Sequence, residues 1–554
     1  MAYGKGRSGA QALVESLERA GTEVLFGYPG GNVADIFDRI PSARFRFVLG
    51  RHEQGCVHMA DGYARATGRP GVAIVTSGPG LTNTVTALGA AYMDGIPLIL
   101  VSGQVPLSQI GTDAFQEADT TGITRAVSKH NFLVQSADEI PETVAQAFYI
   151  ATHGKPGPVV IDIPRNCQEE ITRSAYPERI SLRAYHPEST ATSRDMNRLA
   201  RLINDARRPV LYAGGGTIAA GAARDVAALS RKASIPVATT LTGIGGDGAA
   251  DGAHTLGLAG MHGSPAANRA IAEADLLIAL GVRFNDRITG KVSQYARKAK
   301  IVHVDCDPSS IGKNVPVDLG IVADVKDVLT TVFSRVKAAD RTEWLEKIRS
   351  WRESGRIAEK PSASGAISPR ELMEAIDRRT KGDAIVATDV GQHQIWAAQM
   401  LSHRRSRHFL TSGGMGAMGF GIPAAIGAAI AFGGEKRVVA ILGDGGAQMT
   451  AQELAVAAEE KLPIAFVVVN NRSLGMVRQM QDVFFAGNRA ATVFKGKYLP
   501  DFRKLASAYG IRSRRVERAD KLAAAVGAAL SARGPFLLEV MVDPEANVEP
   551  MVFR

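Results

Sequence analysis

The chain has 554 residues, 45% hydrophobic and 22% charged, with a net charge of +10. That length exceeds a single core and calls for two to four domains, and the composition argues against disorder. The basic residues are scattered through mixed-charge helices with no block interleaved with aromatics, which argues against nucleic-acid binding and leaves anionic small molecules or plain solubility as the reason for the excess.

The N-terminal stretch MAYGKGRSGAQALVESLERAG enters an amphipathic helix without an apolar h-region. Cys56, Cys167 and Cys306 lie far apart with no CxxC, which speaks for buried thiols in a reducing cytosol rather than disulfides or zinc. Strand-like runs follow along the chain: GVAIVTSG, PLILVSGQ, PVVIDIP, RPVLYAGGG, ADLLIALG, KIVHVDCD, AIVATDVG, RVVAILGDG and IAFVVVNN. Continuous Val/Ile/Leu runs are buried on both faces, as in parallel sheets, and their alternation with helical patterns gives an α/β class. Two polar stretches look like linkers, one about 168 to 195 and the other EKPSASGAISPREL. The second ends in a helix start with Ser368 as N-cap, Pro369 at N1 and Glu371 at N3. Three doubly wound parallel-sheet domains are expected, at 1–170, 190–345 and 366–545. FGIPAAIGAAIAFGG is too short and too broken by Gly and Pro to span a bilayer, so no membrane partner is expected and a cytoplasmic protein follows.

In the middle domain YAGGGT places Gly214, Gly215 and Gly216 between a strand and a helix, a weak sign of a dinucleotide diphosphate site. In the last domain VVAILGDGGAQ sets Asp444 between Gly443 and Gly445 at a strand end, where α/β sheets hold ligands. Gly445 and Gly446 let backbone approach a ligand, and the next helix offers N–H groups to phosphate. The following strand ends at Asn470 and Asn471. A carboxylate and an amide oxygen on neighbouring strand ends are hard ligands suited to Mg²⁺. Alternatively, Asp444 caps its helix and Asn471 makes a turn. TSGPGLTNTVTALGAAYMDGIPLILVSGQ can be laid over LGDGGAQMTAQELAVAAEEKLPIAFVVVNN, through chance similarity of two βαβ units or through a duplicated domain.

GDG followed by NN resembles the thiamine diphosphate signature. The likeness extends over EVLFGYPGGN, RHEQGCVHMADGYARATGRPG, TSGPGLTN, SGQVP, IGTDAFQEAD, KHNFLV, PGPVVIDIP, MHG, GVRFNDRITGK, GAMGFGIPAAIGA and NNRSLGMVRQMQ. Through these colinear motifs the chain resembles the catalytic subunit of acetohydroxyacid (acetolactate) synthase. That resemblance implies an N-terminal pyrimidine-binding, a central FAD-type and a C-terminal diphosphate-binding domain. It implies decarboxylation of pyruvate on thiamine diphosphate and condensation of the hydroxyethyl carbanion with a second 2-keto acid, pyruvate or 2-ketobutyrate, in branched-chain amino acid synthesis. Glu53 would activate the aminopyrimidine, as a carboxyl poised by burial can. Glyoxylate carboligase, a close relative of the family, lacks that carboxylate, so Glu53 counts against it. The same resemblance makes Asp444, Asn471 and Ser473 the Mg²⁺ ligands, with Gly443, Gly445, Gly446 and Met476 beside the cofactor. Met418 would wedge it bent, and Gly416 would take its amino group. Gly31 and Gln104 are expected near the reacting centre, and Lys129, Phe115 and Gln116 along the substrate channel. Gly214, Gly215, Gly216, Thr239, Leu241, Met261, His262, Gly281, Arg283, Asp324 and Lys155 would meet a structural FAD. Arg287 would hold the carboxylate of the second 2-keto acid as a guanidinium fork. The site would need a homodimer or dimer of dimers, and branched-amino-acid feedback a separate regulatory subunit.

The sequence departs from the family in places. Met480 stands where tryptophan is usual, and a thioether has no stacking face. Weaker 2-ketobutyrate preference and poor sulfonylurea sensitivity are expected. Asn32, Asn285 and Lys155 also differ from the usual residues. A related thiamine diphosphate-dependent lyase or carboligase with another acceptor is the runner-up. A non-catalytic scaffold would not need Glu53, Asp444, Asn471 and Arg287 together.

Overall fold

The fully buried Val/Ile/Leu runs assemble into three six-stranded sheets, every strand parallel to its neighbours. The computed structural model describes residues 6–552 apart from 181, 188, 249–251, 253, 356–365 and 496–497. Much of EKPSASGAISPREL therefore lies outside the described residues, but Ser368 caps Pro369–Thr380 in a capping box with Glu371, as expected.

The first sheet runs Arg46–Leu49, Val24–Gly27, Gly71–Val75, Leu98–Gln104, Pro158–Pro164, His130–Leu133. The third runs Phe409–Leu410, Ile385–Thr388, Val438–Gly443, Ile464–Asn470, Phe536–Met541, Arg512–Val516. Counted within each sheet in chain order, both read 2-1-3-4-6-5. The echo between two βαβ units thus extends to whole sheets, which favours duplication over chance. The middle sheet reads 3-2-1-4-5-6, from Thr255–Leu258 at one edge to Leu319–Val322 at the other. That is the order of dinucleotide-binding folds, with the ligand crevice where the order reverses. Here the reversal lies between Pro209–Ala213 and Leu276–Leu280.

One apolar core joins the first and third sheets. Its centre is the pair of helices that follow the second strand of each sheet, Glu53–Thr67 and Gly421–Ala431. Gly62 lies on the Ala424 carbonyl and Gly427 on the Met59 carbonyl, where a Cβ would collide with backbone. Glycine permits that approach. Met59, Ile422 and Ile426 are buried around it, each worth about 1.5–3 kcal/mol. No described helix is long and apolar enough to cross a membrane.

Candidate cofactor and active site

Gly443 is registered with Val469, so Asp444 and Asn471 leave adjacent strands at the same end of the third sheet. Burial pushes the Asp444 carboxyl up to about 7, while the amides of Gly445, Arg472 and Ser473 pull it back. Its Oδ1 accepts from the Gly445 amide at 2.9 Å. Its Oδ2 is buried without a partner, as are Ser473 Oγ and His393 Nε2. Unpaired buried polar atoms are costly. An ion-bound diphosphate would satisfy them, so the residues present fit such a group. Asn471 also forms the turn expected of it, its Oδ1 accepting from the Ser473 amide at 3.1 Å. Asn470 faces away, donating to Glu539 Oε1 at 2.8 Å.

The loop before Gly421–Ala431 closes over the same end. Buried Asp389 accepts from the amides of Val390, Gly419 and Gly421 and thereby shapes it. Gly416 and Gly419 both have positive φ. A Cβ on Gly445 would meet Met418, Leu474 and Phe494, so Met418 does stand beside the glycine turn.

At the corresponding end of the first sheet, Glu53 opens its helix half-buried, and its Oε2 accepts from Asn83 Nδ2 at 2.9 Å. Gly31 starts a short turn with open space around it. Asn32 is tied to Ser77 Oγ at 2.6 Å. Gln104 is buried, donating to Asp162 Oδ2 at 3.0 Å and Ala118 O at 2.9 Å, and burial pushes Asp162 up to about 7. Buried Glu453 of the third domain lies close enough to Glu53 for the two carboxyls to repel, and it accepts from the Arg51 amide at 3.1 Å. Among the described residues, Glu53 and Asp444 share no contact within one chain. Phe115 projects into solvent at 87% exposure, and Gln116 has positive φ.

A cavity of about 410 Å³ opens where all three domains meet. Gly216 and Gly281 cross at its floor, and Gly214 packs behind them on the Gly281 carbonyl without lining the cavity; a Cβ on any of the three would strike the opposing backbone. Gly215, Leu241, Met261, His262, Arg283 and Asp324 reach it, as do Lys155, Arg287, Gly416, Met476 and Met480. Asn285 Oδ1 faces it buried and without a partner, which suits a polar ligand. Arg287 is half-exposed, 3.5 Å from Met261 Sδ. Two expected residues stand elsewhere. Thr239 is buried in its strand and lines a separate cavity, while Thr240 lines the main one, because successive strand residues face opposite ways. Lys129 is engaged by the carbonyls of Ile150 and His153, the latter at 2.6 Å, and burial pulls it down to about 8. Asp324 also caps Val325–Phe333, and Lys155 pairs with Asp307 at 3.3 Å.

Comparison with known proteins agrees with this arrangement. Residues 7–123 match the family described as thiamine pyrophosphate enzyme, N-terminal TPP binding domain. Residues 196–332 match its central domain and 389–540 its C-terminal TPP binding domain. The acetolactate synthase of Mycobacterium bovis is 44% identical over 98% of this chain and 90% of its own. The acetolactate synthase large subunit of Haemophilus influenzae is 41% identical over 99% of this chain and 96% of its own. Acetolactate synthase 1, chloroplastic, of Zea mays is 43% identical, over 99% and 87%. The chain belongs to the acetolactate synthase family of thiamine pyrophosphate enzymes.

Within that family's C-terminal domain, sequence reasoning passed over DVGQHQ, residues 389–394. Its signal was present: the run follows the strand Ile385–Thr388, at the reversal of the strand order. His393 packs on Gly391 and Gly443, and burial pulls its imidazole down to about 3, so it stands neutral beside Asp444's glycine turn. Asp94 was also passed over. Its side chain is fully buried and accepts from the Gly413 and Gly414 amides at 2.9 and 2.8 Å and from Arg65 at 3.0 Å, with Arg283 at 3.5 Å.

Proposed function

We propose that this protein is the catalytic subunit of an acetolactate synthase, with Mg²⁺, a structural FAD and 2-keto acid substrates. The observation that carries the reading is the pair of strand tips, Asp444 and Asn471, beside buried polar atoms that lack partners. Bound there, thiamine diphosphate supplies the nucleophilic carbon and the electron sink for removing CO₂ from one 2-keto acid and joining its two-carbon unit to another.

The chain's own residues bind, orient and move protons. Asp444, Asn471 and the Ser473 carbonyl hold Mg²⁺, whose charge offsets the cost of burying the Asp444 carboxylate. Met418 and Gly416 seat the aminopyrimidine, and Glu53 holds a proton at its ring nitrogen. Gly31 and Gln104 border the reacting centre. Arg287 grips the carboxylate of the second 2-keto acid, and Met480 forms the apolar wall of its pocket. Gly215, Gly216, Leu241, Met261, His262, Arg283 and Asp324 carry the flavin, which does no net redox chemistry. Glu53 serves a site completed by a partner subunit, so the working unit is a homodimer or dimer of dimers in the cytoplasm. Several relatives are named large subunits, which supports a separate regulatory subunit here. Domain boundaries fall near 170–190 and 345–366.

The purified protein is expected to show a flavin spectrum and, with thiamine diphosphate and Mg²⁺, to convert pyruvate to acetolactate by mass spectrometry. Adding 2-ketobutyrate yields the mixed product as well. Acetaldehyde alone, or adducts only with other acceptors, would replace this reading with that of a related lyase or carboligase.

A further inference from the structure

We propose that Gln392 is a positioning residue that fixes which way the Asn471 amide faces and couples that choice to the seating of residues 546–552. The proposal rests on the reading of Asn471 as a magnesium ligand. A carboxamide presents an oxygen and an NH₂ of similar shape, and only the oxygen can meet a cation. Asn471 is 7% exposed, so its NH₂ needs an acceptor inside the protein. Gln392 Oε1 provides it, accepting from Asn471 Nδ2 at 3.1 Å.

The bonds continue in one direction. Gln392 Nε2 donates to Gln479 Oε1 at 2.9 Å and to the Ala546 carbonyl at 3.1 Å. Gln479 Nε2 donates to the Val548 carbonyl at 2.8 Å and to Met551 Sδ at 3.4 Å. Gln479 Oε1 accepts from the Val548 amide at 2.9 Å. Gln392 and Gln479 are both nearly fully buried. Turning Asn471 over would bring its oxygen against Gln392 Oε1, an acceptor facing an acceptor. The segment at the far end lies across the cavity of the three domains. Met551 lines that cavity with Arg287 and Met480, and the Val552 amide donates to the Met261 carbonyl at 2.8 Å.

A cation on Asn471 Oδ1 polarises the NH₂ and strengthens the chain of bonds behind it. Linkage then requires the converse: a seated segment favours the ion. Gln392 thus joins the end that anchors the cofactor to the end that walls the substrate cavity.

The test uses the complete protein with thiamine diphosphate. Mn²⁺ affinity is read by electron paramagnetic resonance. Seating is read as hydrogen exchange in the peptide covering 546–552, with and without Mg²⁺. In wild type, Mg²⁺ slows that exchange. Gln392→Met keeps the volume and removes all three side-chain bonds; Mn²⁺ affinity falls about 10–100-fold, and exchange in the segment stops responding to the ion. Gln479→Met leaves the Gln392 bonds to Asn471 and Ala546 in place, so Mn²⁺ affinity falls less than in Gln392→Met and the exchange response weakens. Unchanged Mn²⁺ affinity in Gln392→Met, or a response as strong as that of wild type in Gln479→Met, overturns the proposal. The second variant carries the test if the first does not fold. Asp444→Asn separates the two readings. Binding lost there but kept in Gln392→Met overturns the proposal alone, whereas binding kept in Asp444→Asn overturns the ligand reading beneath it.

Discussion

Asp444 and Asn471 stand one strand apart at the same sheet end, held there by the register of Gly443 with Val469. Both side chains are buried, and the Asp444 carboxylate has one oxygen without a partner. Asp444→Asn keeps the shape and removes the charge. It is expected to weaken Mn²⁺ binding by more than the roughly 10–100-fold that losing an outer partner of a metal ligand costs. Titration with thiamine diphosphate present checks this, and near-native affinity would contradict it.

Glu453 supplies a pH prediction. Burial is the main cause that raises its carboxyl from 4.5 to about 7. The folded chain therefore keeps this proton over a range where the unfolded chain has released it. The stability involved is complete below about 4.5, declines as pH rises, and is gone above about 7. Glu453→Gln has no such loss. Relative to wild type its stability is expected to climb by about 2–3 kcal/mol between pH 5 and 8. A difference in denaturant midpoint that stays flat across that range would refute the assignment.

Gly427 tests the seam between the outer sheets. Alanine there gains about 1 kcal/mol in helix propensity. Its methyl, however, would strike the Met59 carbonyl, and both sides of the contact are backbone. Overpacking of this kind costs about 1–3 kcal/mol. Gly427→Ala is expected to melt below wild type; melting at or above it would show that the seam yields.

These contacts explain what could be read from sequence and what could not. Strand tips, the glycine turn at Gly214–Gly216 and the Ser368 cap depend on neighbouring residues, so local pattern exposes them. Even the likeness of the outer domains was visible as one repeated βαβ unit. Asp94 meets Gly413 across 319 positions, and Gln392 meets Asn471 across 79. Such pairs exist only once sheets are stacked. Lys129 looked like a channel residue because resemblance aligns positions and says nothing of where an ammonium turns; here two helix-end carbonyls take it. Thr239 missed by one residue because strand alternation decides which threonine faces the crevice.

Met480 lines the cavity beside Arg287. Met480→Trp restores a flat aromatic wall. Selectivity for 2-ketobutyrate over pyruvate is expected to rise about 10-fold or more, the scale on which one methylene is discriminated in an apolar pocket. Sulfonylurea inhibition should appear with it. Competition kinetics read both, and a wild type already strongly selective for 2-ketobutyrate would contradict the role given to Met480.

The proposed function turns on activation of the coenzyme by Glu53. Exchange of the coenzyme's C2 proton in D₂O, followed by acid quench and NMR, reads this before any substrate binds. In Glu53→Gln the exchange rate is expected to fall about 10²–10⁴-fold, with thiamine diphosphate and flavin still bound. Exchange at the wild-type rate in that variant would contradict the account.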